Sequence, residues 1–246
     1  MQKARLEITF IIAESSLELV PIAISDHPDI VRHARKRKKK PYEIILDMTY
    51  HYRAILSSNI PQKHKRGRPD IVHRAILLAL DSLLNKLGFL RLYLHTIDDK
   101  IIWISPDARI PRHYNRFIGL MEKLLSIGKI IANTEKGEET LLEILPISLE
   151  NLLDNLRPNI VIGFSKRGKI KEGLLEYLST LIQRNIDKNR YVNIVNIIGG
   201  FPHGTFSQRV LKIVDELISI SKYSLSTQYT LCKVISCYES ILRLVP

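Results

Sequence analysis

Two glycine strings and two arginine strings hold the residues of this chain whose types and spacing could do chemistry. GFSKRG (163–168) and GGFPHG (199–204) each follow an apolar run. Glycine after a strand lets main-chain amides approach a ligand, and open α/β sheets bind ligands beyond the carboxyl ends of their strands. A structural turn explains either string alone, but two in neighbouring strand–helix units point to a small-molecule site. The pattern G-G-x-x-x-G is not the dinucleotide fingerprint, and no Gly-Lys-Ser/Thr follows to make a Walker loop. In DARIPRHYNR, Arg109, Arg112 and Arg116 fall at spacings of three and four, which share one side of a helix. Arg66 and Arg68 sit in a second basic loop, KHKRGRPD. Guanidinium groups held beside prolines and Tyr114 can grip phosphates, the alternative being a solvated face. The histidines show neither H-E-x-x-H nor a pairing with cysteine, so no metal is expected, and no G-x-S-x-G elbow supports a hydrolase. His203, inside a glycine string, is read as shaping its loop.

These strings need elements to position them. LEITFIIA (6–13) reads as a buried strand. Pro69 suits the first turn of a helix of about 17 residues with Ile71, Val72, Ala75, Ile76, Ala79 and Leu83 at helical spacing and Gly88 as a stop. Its electropositive start lies beside the basic loop and can receive an anion. Segment 89–105 reads as a hairpin turning at Asp98-Asp99, and 105–125 as a loop that becomes an amphipathic helix. TEKGEET (134–140) reads as a charged turn, and YEIILDM (42–48) as a strand or a helix. From residue 148, helices are expected at 148–156, 173–183, 207–218 and 226–245, and strands at 159–165 and 191–200, with 218–225 a strand or loop. This alternation argues for a parallel α/β sheet with helices on both faces.

The chain has 246 residues, 45% apolar, with 37 Lys and Arg against 25 Asp and Glu, a formal charge of +12. That much apolar side chain builds a core and excludes a disordered protein. The positive excess favours a polyanion, most simply nucleic acid. Seven of the nine residues from Arg32 to Lys40 are basic, either a solvated helix end or mobile loop, or a phosphate-contacting arm. Cys232 and Cys237 exclude a disulfide scaffold; five apart on one helix they point about 140° from each other and read as small core residues. No apolar stretch is long enough to span a bilayer, and the N-terminal run does not read as a signal peptide.

The strings RGRPDIVHRAILLALDSLLNK, ISPDARIPRHYNRFIGLMEKLL and IGGFPHG, in that order, resemble the ribosome-biogenesis pseudouridine methyltransferases of the SPOUT superfamily, in their archaeal form. The resemblance covers about residues 62–246, and the N-terminal strand fits it. It implies a single domain over 1–246, with a SPOUT-type parallel sheet, helices on both faces, a C-terminal deep trefoil knot and an RNA-binding extension at about 27–140. It implies S-adenosylmethionine as methyl donor and N1 of a pseudouridine in small-subunit ribosomal RNA as acceptor. A homodimer, a cytoplasmic setting and small-subunit ribosomal proteins as further partners follow from it, with no metal and no membrane. By the same resemblance, Arg68, Arg109, Arg112 and Arg116 face RNA, and Arg66, in the same basic loop as Arg68, is expected to join them. Asp70 lies at the target base, as proton acceptor or more readily as an orienting group. Ser165, Lys166, Gly199, Gly200, Gly204 and the run Ile220, Ser221, Lys222, Tyr223, Ser224, Leu225 surround the cofactor. Ser224 stands where the family usually has proline. Two other readings stay open: a non-catalytic rRNA-binding assembly factor with a retained cofactor pocket, and a basic nucleotide-binding protein of doubly wound type.

Overall fold

A computed structural model describes residues 5–134, 137–186 and 191–244. Its centre is β1 (Arg5–Ser15), apolar on both faces. Ile8, Phe10 and Ile12 point into one core, Ile11 and Ala13 into another, as the two-residue strand period requires. Beside it lie β2 (Leu90–Thr96) and β7 (Tyr191–Gly199), both parallel to it. β6 (Ile160–Ile170) and β8 (Glu216–Ser219) continue the parallel side. On the other side β3 (Ile101–Ile104), β5 (Gly137–Leu145) and β4 (Lys129–Thr134) are antiparallel. The order is β4-β5-β3-β2-β1-β7-β6-β8.

The sheet is therefore mixed: the strands from residue 148 onward are parallel, as their alternation with helices predicts, and the hairpin expected at 89–105 is the antiparallel β2–β3 pair. The β4–β5 pair lies where the charged turn 134–140 is expected; Glu135 and Lys136 of that stretch are outside the described residues. The expected helix 207–218 is α8 (Gln208–Lys212) followed by β8. Asp215 makes the break: its amide donates to the Val161 carbonyl and its carboxylate accepts from the Val161 amide, at 2.9 and 2.7 Å, which docks the next residues on β6.

Helices cover both faces. α3 (Pro69–Asp81), α5 (Tyr114–Ile127), α7 (Leu174–Ile186) and α9 (Thr227–Ile241) supply the larger core, and α6 (Leu149–Leu156) with α8 the other. The long helix expected from Pro69 breaks at Ser82, whose hydroxyl accepts from the Asn85 amide and starts the single turn α4 (Leu83–Lys86). α1 (Pro28–Lys36) and α2 (Met48–Ser57) form a third, smaller core with the segment 42–48, which is extended from Ile44 onward and bridges Leu19 through Ile45. Both cysteines lie on α9, but Cys232 is exposed and Cys237 only half-buried, because the inward face of α9 belongs to Leu231, Val234, Ile235 and Tyr238. The Tyr238 hydroxyl donates to buried Asn196 of β7 at 2.9 Å, which fixes α9 on the sheet and its first turn at the strand ends.

Candidate active site

The carboxyl ends of β6, β7 and β8 open into a cleft of about 500 Å³, closed on one side by the start of α3. That size suits a small-molecule site, and the ends of parallel strands are where the fold class places one. Three stretches meet there: 164–167, 198–206 and 219–228. The first is not a strand–helix loop. β6 leaves its ladder between Phe164 and Lys169 and rejoins β8, so the bulged residues Ser165–Arg167 project at the rim. Gly199 ends β7; a Cβ there would stand 2.8 Å from the Phe201 ring. Gly204 is left-handed at φ +104°. The third stretch is tied to the second by the Thr227 hydroxyl, which donates to the Gly199 carbonyl at 2.6 Å. It is tightened by Ser219, whose hydroxyl donates to the Ser221 carbonyl at 2.6 Å.

The second stretch is also bound to the basic loop before α3. Glu14, at the end of β1, is buried and left-handed at φ +50°. One of its carboxylate oxygens accepts from Lys65 Nζ at 2.5 Å and the other from the Ser207 amide at 2.9 Å. Lys65 Nζ lies 4.6 Å from the Phe201 ring centre, a cation–π contact. The Ser16 amide donates to the Gly200 carbonyl at 2.8 Å, and the Ser16 hydroxyl accepts from the Arg68 amide at 2.6 Å. Residues 14–16 thus hold both walls of the cleft in one register.

On the α3 wall, Arg68 and Asp70 form a bidentate pair, Nε to Oδ1 at 2.7 Å and Nη2 to Oδ2 at 2.9 Å. Burial pushes the Asp70 carboxyl up, but the Arg68 hydrogen bonds and charge, with Arg74 and the amide at the helix start, outweigh it and hold the carboxyl below its ordinary range. Asp70 is an ionised, oriented acceptor and a weak proton acceptor.

Of the residues expected at a site, Arg68, Asp70, Ser165, Lys166, Gly199, Gly204, Ile220, Tyr223, Ser224 and Leu225 line the cleft. Gly200, Ser221 and Lys222 are not on its wall. Gly200 packs its Cα on β1, where a Cβ would stand 2.8 Å from Ile12 Cγ2. Ser221 holds its turn together by accepting from the Tyr223 amide at 3.0 Å, and Lys222 lies over the Tyr223 ring. Arg66 departs from expectation: its side chain is 12% exposed, paired with Glu18 and donating to the Pro61 carbonyl, so it faces the interior. Arg109, Arg112 and Arg116 are exposed outside the cleft, on the loop before α5 and its first turn. That loop is pinned to α3 by His73 Nε2, which donates to the Pro111 carbonyl at 2.7 Å, and by Arg112 on Asp81 at 2.9 Å. The Tyr114 hydroxyl donates to Asp47 at 2.5 Å, which holds the start of α5 against the segment before α2. Phe117 is fully buried in the core. Sequence reasoning misses Arg74 and Thr227. Arg74 is legible as one helical turn after Asp70; Thr227 carries no local signal. Among the described residues no cluster of His, Cys, Asp and Glu could hold a metal ion, and no helix is long and apolar enough to cross a membrane.

The sequence model of a family described as EMG1/NEP1 methyltransferase matches residues 10–239. The ribosomal RNA small subunit methyltransferase Nep1 of Staphylothermus marinus is 39% identical over 238 residues, covering 97% of each chain. That of Thermococcus kodakarensis is 41% identical over 236 residues, 95% of this chain and 98% of the relative. The crystal structure of Archaeoglobus fulgidus Nep1 bound to S-adenosylhomocysteine superposes with a TM-score of 0.82 at 34% identity, over 97% of this chain and 100% of that one.

Proposed function

The chain belongs to the EMG1/NEP1 methyltransferase family, and from this premise we propose that it methylates small-subunit ribosomal RNA with S-adenosylmethionine as donor, at N1 of a pseudouridine. The observation that carries the reading is the meeting, in one cleft, of the expected cofactor stretches with the Arg68–Asp70 pair. The cleft suits the donor chemically. Ile198, Ile220, Leu225 and Phe206 offer apolar faces for an adenine, while Ser165, Thr227, Gln228 and the main chain around Gly199 and Gly204 offer hydrogen bonds for a ribose and an amino acid. Bound there, S-adenosylmethionine supplies a methyl group already activated on sulfonium.

The chain's own residues then have to bring a ring nitrogen in line with that methyl group, and positioning of this kind can supply a large share of a rate enhancement. Pseudouridine is carbon-linked to ribose, so its N1 carries a proton, which passes to water as the N–C bond forms. Asp70, ionised and held by Arg68, is suited to accept a hydrogen bond from the base and fix its orientation. Arg74, one turn along α3, keeps the wall positive for the nucleotide's phosphate. Arg109, Arg112 and Arg116 lie outside the cleft on a pinned loop, placed to contact phosphates of the surrounding RNA. A target base reaches such a cleft only flipped out of its stack.

The same reading makes the C-terminal part a deep trefoil knot and the protein a cytoplasmic homodimer with sites near the subunit interface. It makes about residues 27–140 an RNA-binding extension of one domain and small-subunit ribosomal proteins further partners; the third core around α1 and α2 supports a distinct extension. The deciding experiment is methyl transfer from labelled S-adenosylmethionine to two hairpins that differ only in uridine or pseudouridine at one loop position. Incorporation only into the pseudouridine hairpin is expected. Equal incorporation refutes N1 as the acceptor; none, with cofactor binding intact, favours an assembly factor.

A further inference from the structure

The basic run from Arg32 to Lys40 has no part in the cleft, yet it is not a loose arm. Its first half is the end of α1, and two of its cations turn inward. Arg37 Nη1 and Nη2 and Lys39 Nζ donate to the buried Glu122 carboxylate, at 2.5, 2.8 and 2.7 Å, and the Ile45 amide donates to the same group at 3.1 Å. Arg35, Lys36 and Lys38 are exposed on this fixed backbone, with Lys38 left-handed at φ +53°.

Beside them stands an aromatic platform. Tyr50 of α2, 47% exposed, stacks on His33 of α1 with ring centres 4.1 Å apart and planes at 27°. His33 is held in place from beneath. The Asp47 amide donates to His51 Nδ1 at 3.1 Å, so the neutral His51 carries its proton on Nε2 and donates to His33 Nδ1 at 2.9 Å. Burial, with Arg37 and Lys36 nearby, lowers the His33 pKa and keeps it an uncharged stacking ring. Asp47 also accepts the Tyr114 hydroxyl, and the Met48 amide donates to the Gly67 carbonyl at 2.8 Å. The platform is therefore joined to the loop that carries Arg68 and Asp70.

We propose that Tyr50, backed by His33, and the outward side chains of Arg35, Lys36 and Lys38 form a second RNA-contact surface that takes a single-stranded segment flanking the target nucleotide. The proposal rests on the reading of the protein as an RNA methyltransferase and extends its footprint. Cations alone would accept any polyanion. A rigid, half-exposed ring beside them selects an unstacked base, which a duplex does not offer.

The test compares a minimal hairpin substrate with the same hairpin carrying single-stranded extensions at both ends, by fluorescence anisotropy across a salt series. The full-length protein is expected to bind the extended RNA at least about 10-fold tighter, since one stacked base contributes on this scale and the phosphate contacts add to it. Its salt slope should be steeper by about 2, from three cations at about 0.7 each on single-stranded phosphates. Tyr50→Ala should lower affinity for the extended RNA about 10-fold, leaving the salt-dependent share of the cations, and Tyr50→Phe should keep full affinity. The triple change Arg35→Gln, Lys36→Gln, Lys38→Gln should abolish the extra slope. Cofactor affinity and methylation of the minimal hairpin should stay unchanged in all of these variants. Those two readouts in the unaltered protein report on the methyltransferase reading separately, so its failure is distinguishable. Equal binding of both RNAs, an equal gain when the extensions are duplexed, or an undiminished gain in Tyr50→Ala overturns the proposal.

Discussion

Lys65→Met is the perturbation whose outcome the structure specifies most fully. Lys65 is 3% exposed and Glu14 is 4%, and their contact is 2.5 Å. Methionine keeps the length of the side chain and removes its charge, which leaves the Glu14 carboxylate buried with the Ser207 amide and no cation. An uncompensated buried charge costs about 3–5 kcal/mol, and the lost cation–π contact on Phe201 adds about 1 kcal/mol. Against a typical domain stability of about 5–15 kcal/mol this is a large loss. Urea unfolding at neutral pH should show it as a shifted midpoint at unchanged slope. Because Glu14 and Lys65 together hold the 199–207 stretch, S-adenosylhomocysteine affinity by calorimetry should fall as well. Adding Glu14→Gln to Lys65→Met removes the stranded charge, keeps an acceptor for the Ser207 amide, and should restore at least half of the lost stability. A single variant within about 1 kcal/mol of the parent, or a double variant no more stable than the single one, would refute the claim that this pair braces the cleft.

Asp70→Asn should leave S-adenosylhomocysteine affinity intact and lower single-turnover methylation about 10²-fold through misorientation of the base. Loss of all turnover across pH, with RNA and cofactor affinity kept, would instead mark Asp70 as the proton acceptor. Arg112→Ala should weaken RNA binding and reduce its salt slope by about 1 with cofactor affinity unchanged; an unaltered slope removes Arg112 from the interface. Glu18 has its pKa raised from 4.5 to about 7, because burial outweighs the opposing charge of Arg66. With the folded value above the unfolded one, its contribution is full below 4.5 and lost as pH rises through 7. The stability of the parent relative to Glu18→Gln should therefore fall by roughly 2–3 kcal/mol between pH 5 and pH 8 in urea titrations. A difference that is flat or grows with pH would contradict this.

What the sequence makes legible follows how local each signal is. β1, α3 and α5 are long, apolar and periodic, so their place in the chain is plain from residue types and spacing. α8 and β8 are not separable in that way, because RVLKIVDELI satisfies a helical period and only the pairing of Asp215 with Val161, 54 residues away, divides it. The β4–β5 pair is hidden for a related reason. Glu138 and Glu139 make its strands look like a solvated turn, while its place in the sheet rests on a long-range pairing of β5 with β3 that leaves no local signal.

The site divides the same way. Glycine strings and the RGRPD turn are local signals and point to the cleft. Arg66 and Arg68 are indistinguishable two residues apart in sequence, yet Gly67, left-handed at φ +74°, sends them to opposite sides of the turn. A Cβ at Gly67 would stand 2.7 Å from Ile55 Cδ1, so the turn closes only around glycine. Arg66 goes inward to Glu18 and anchors the loop; Arg68 goes to the cleft and holds Asp70. One cation is spent on structure while its neighbour stands fixed at the cleft, and only the tertiary positions of Glu18 and Asp70 decide which is which.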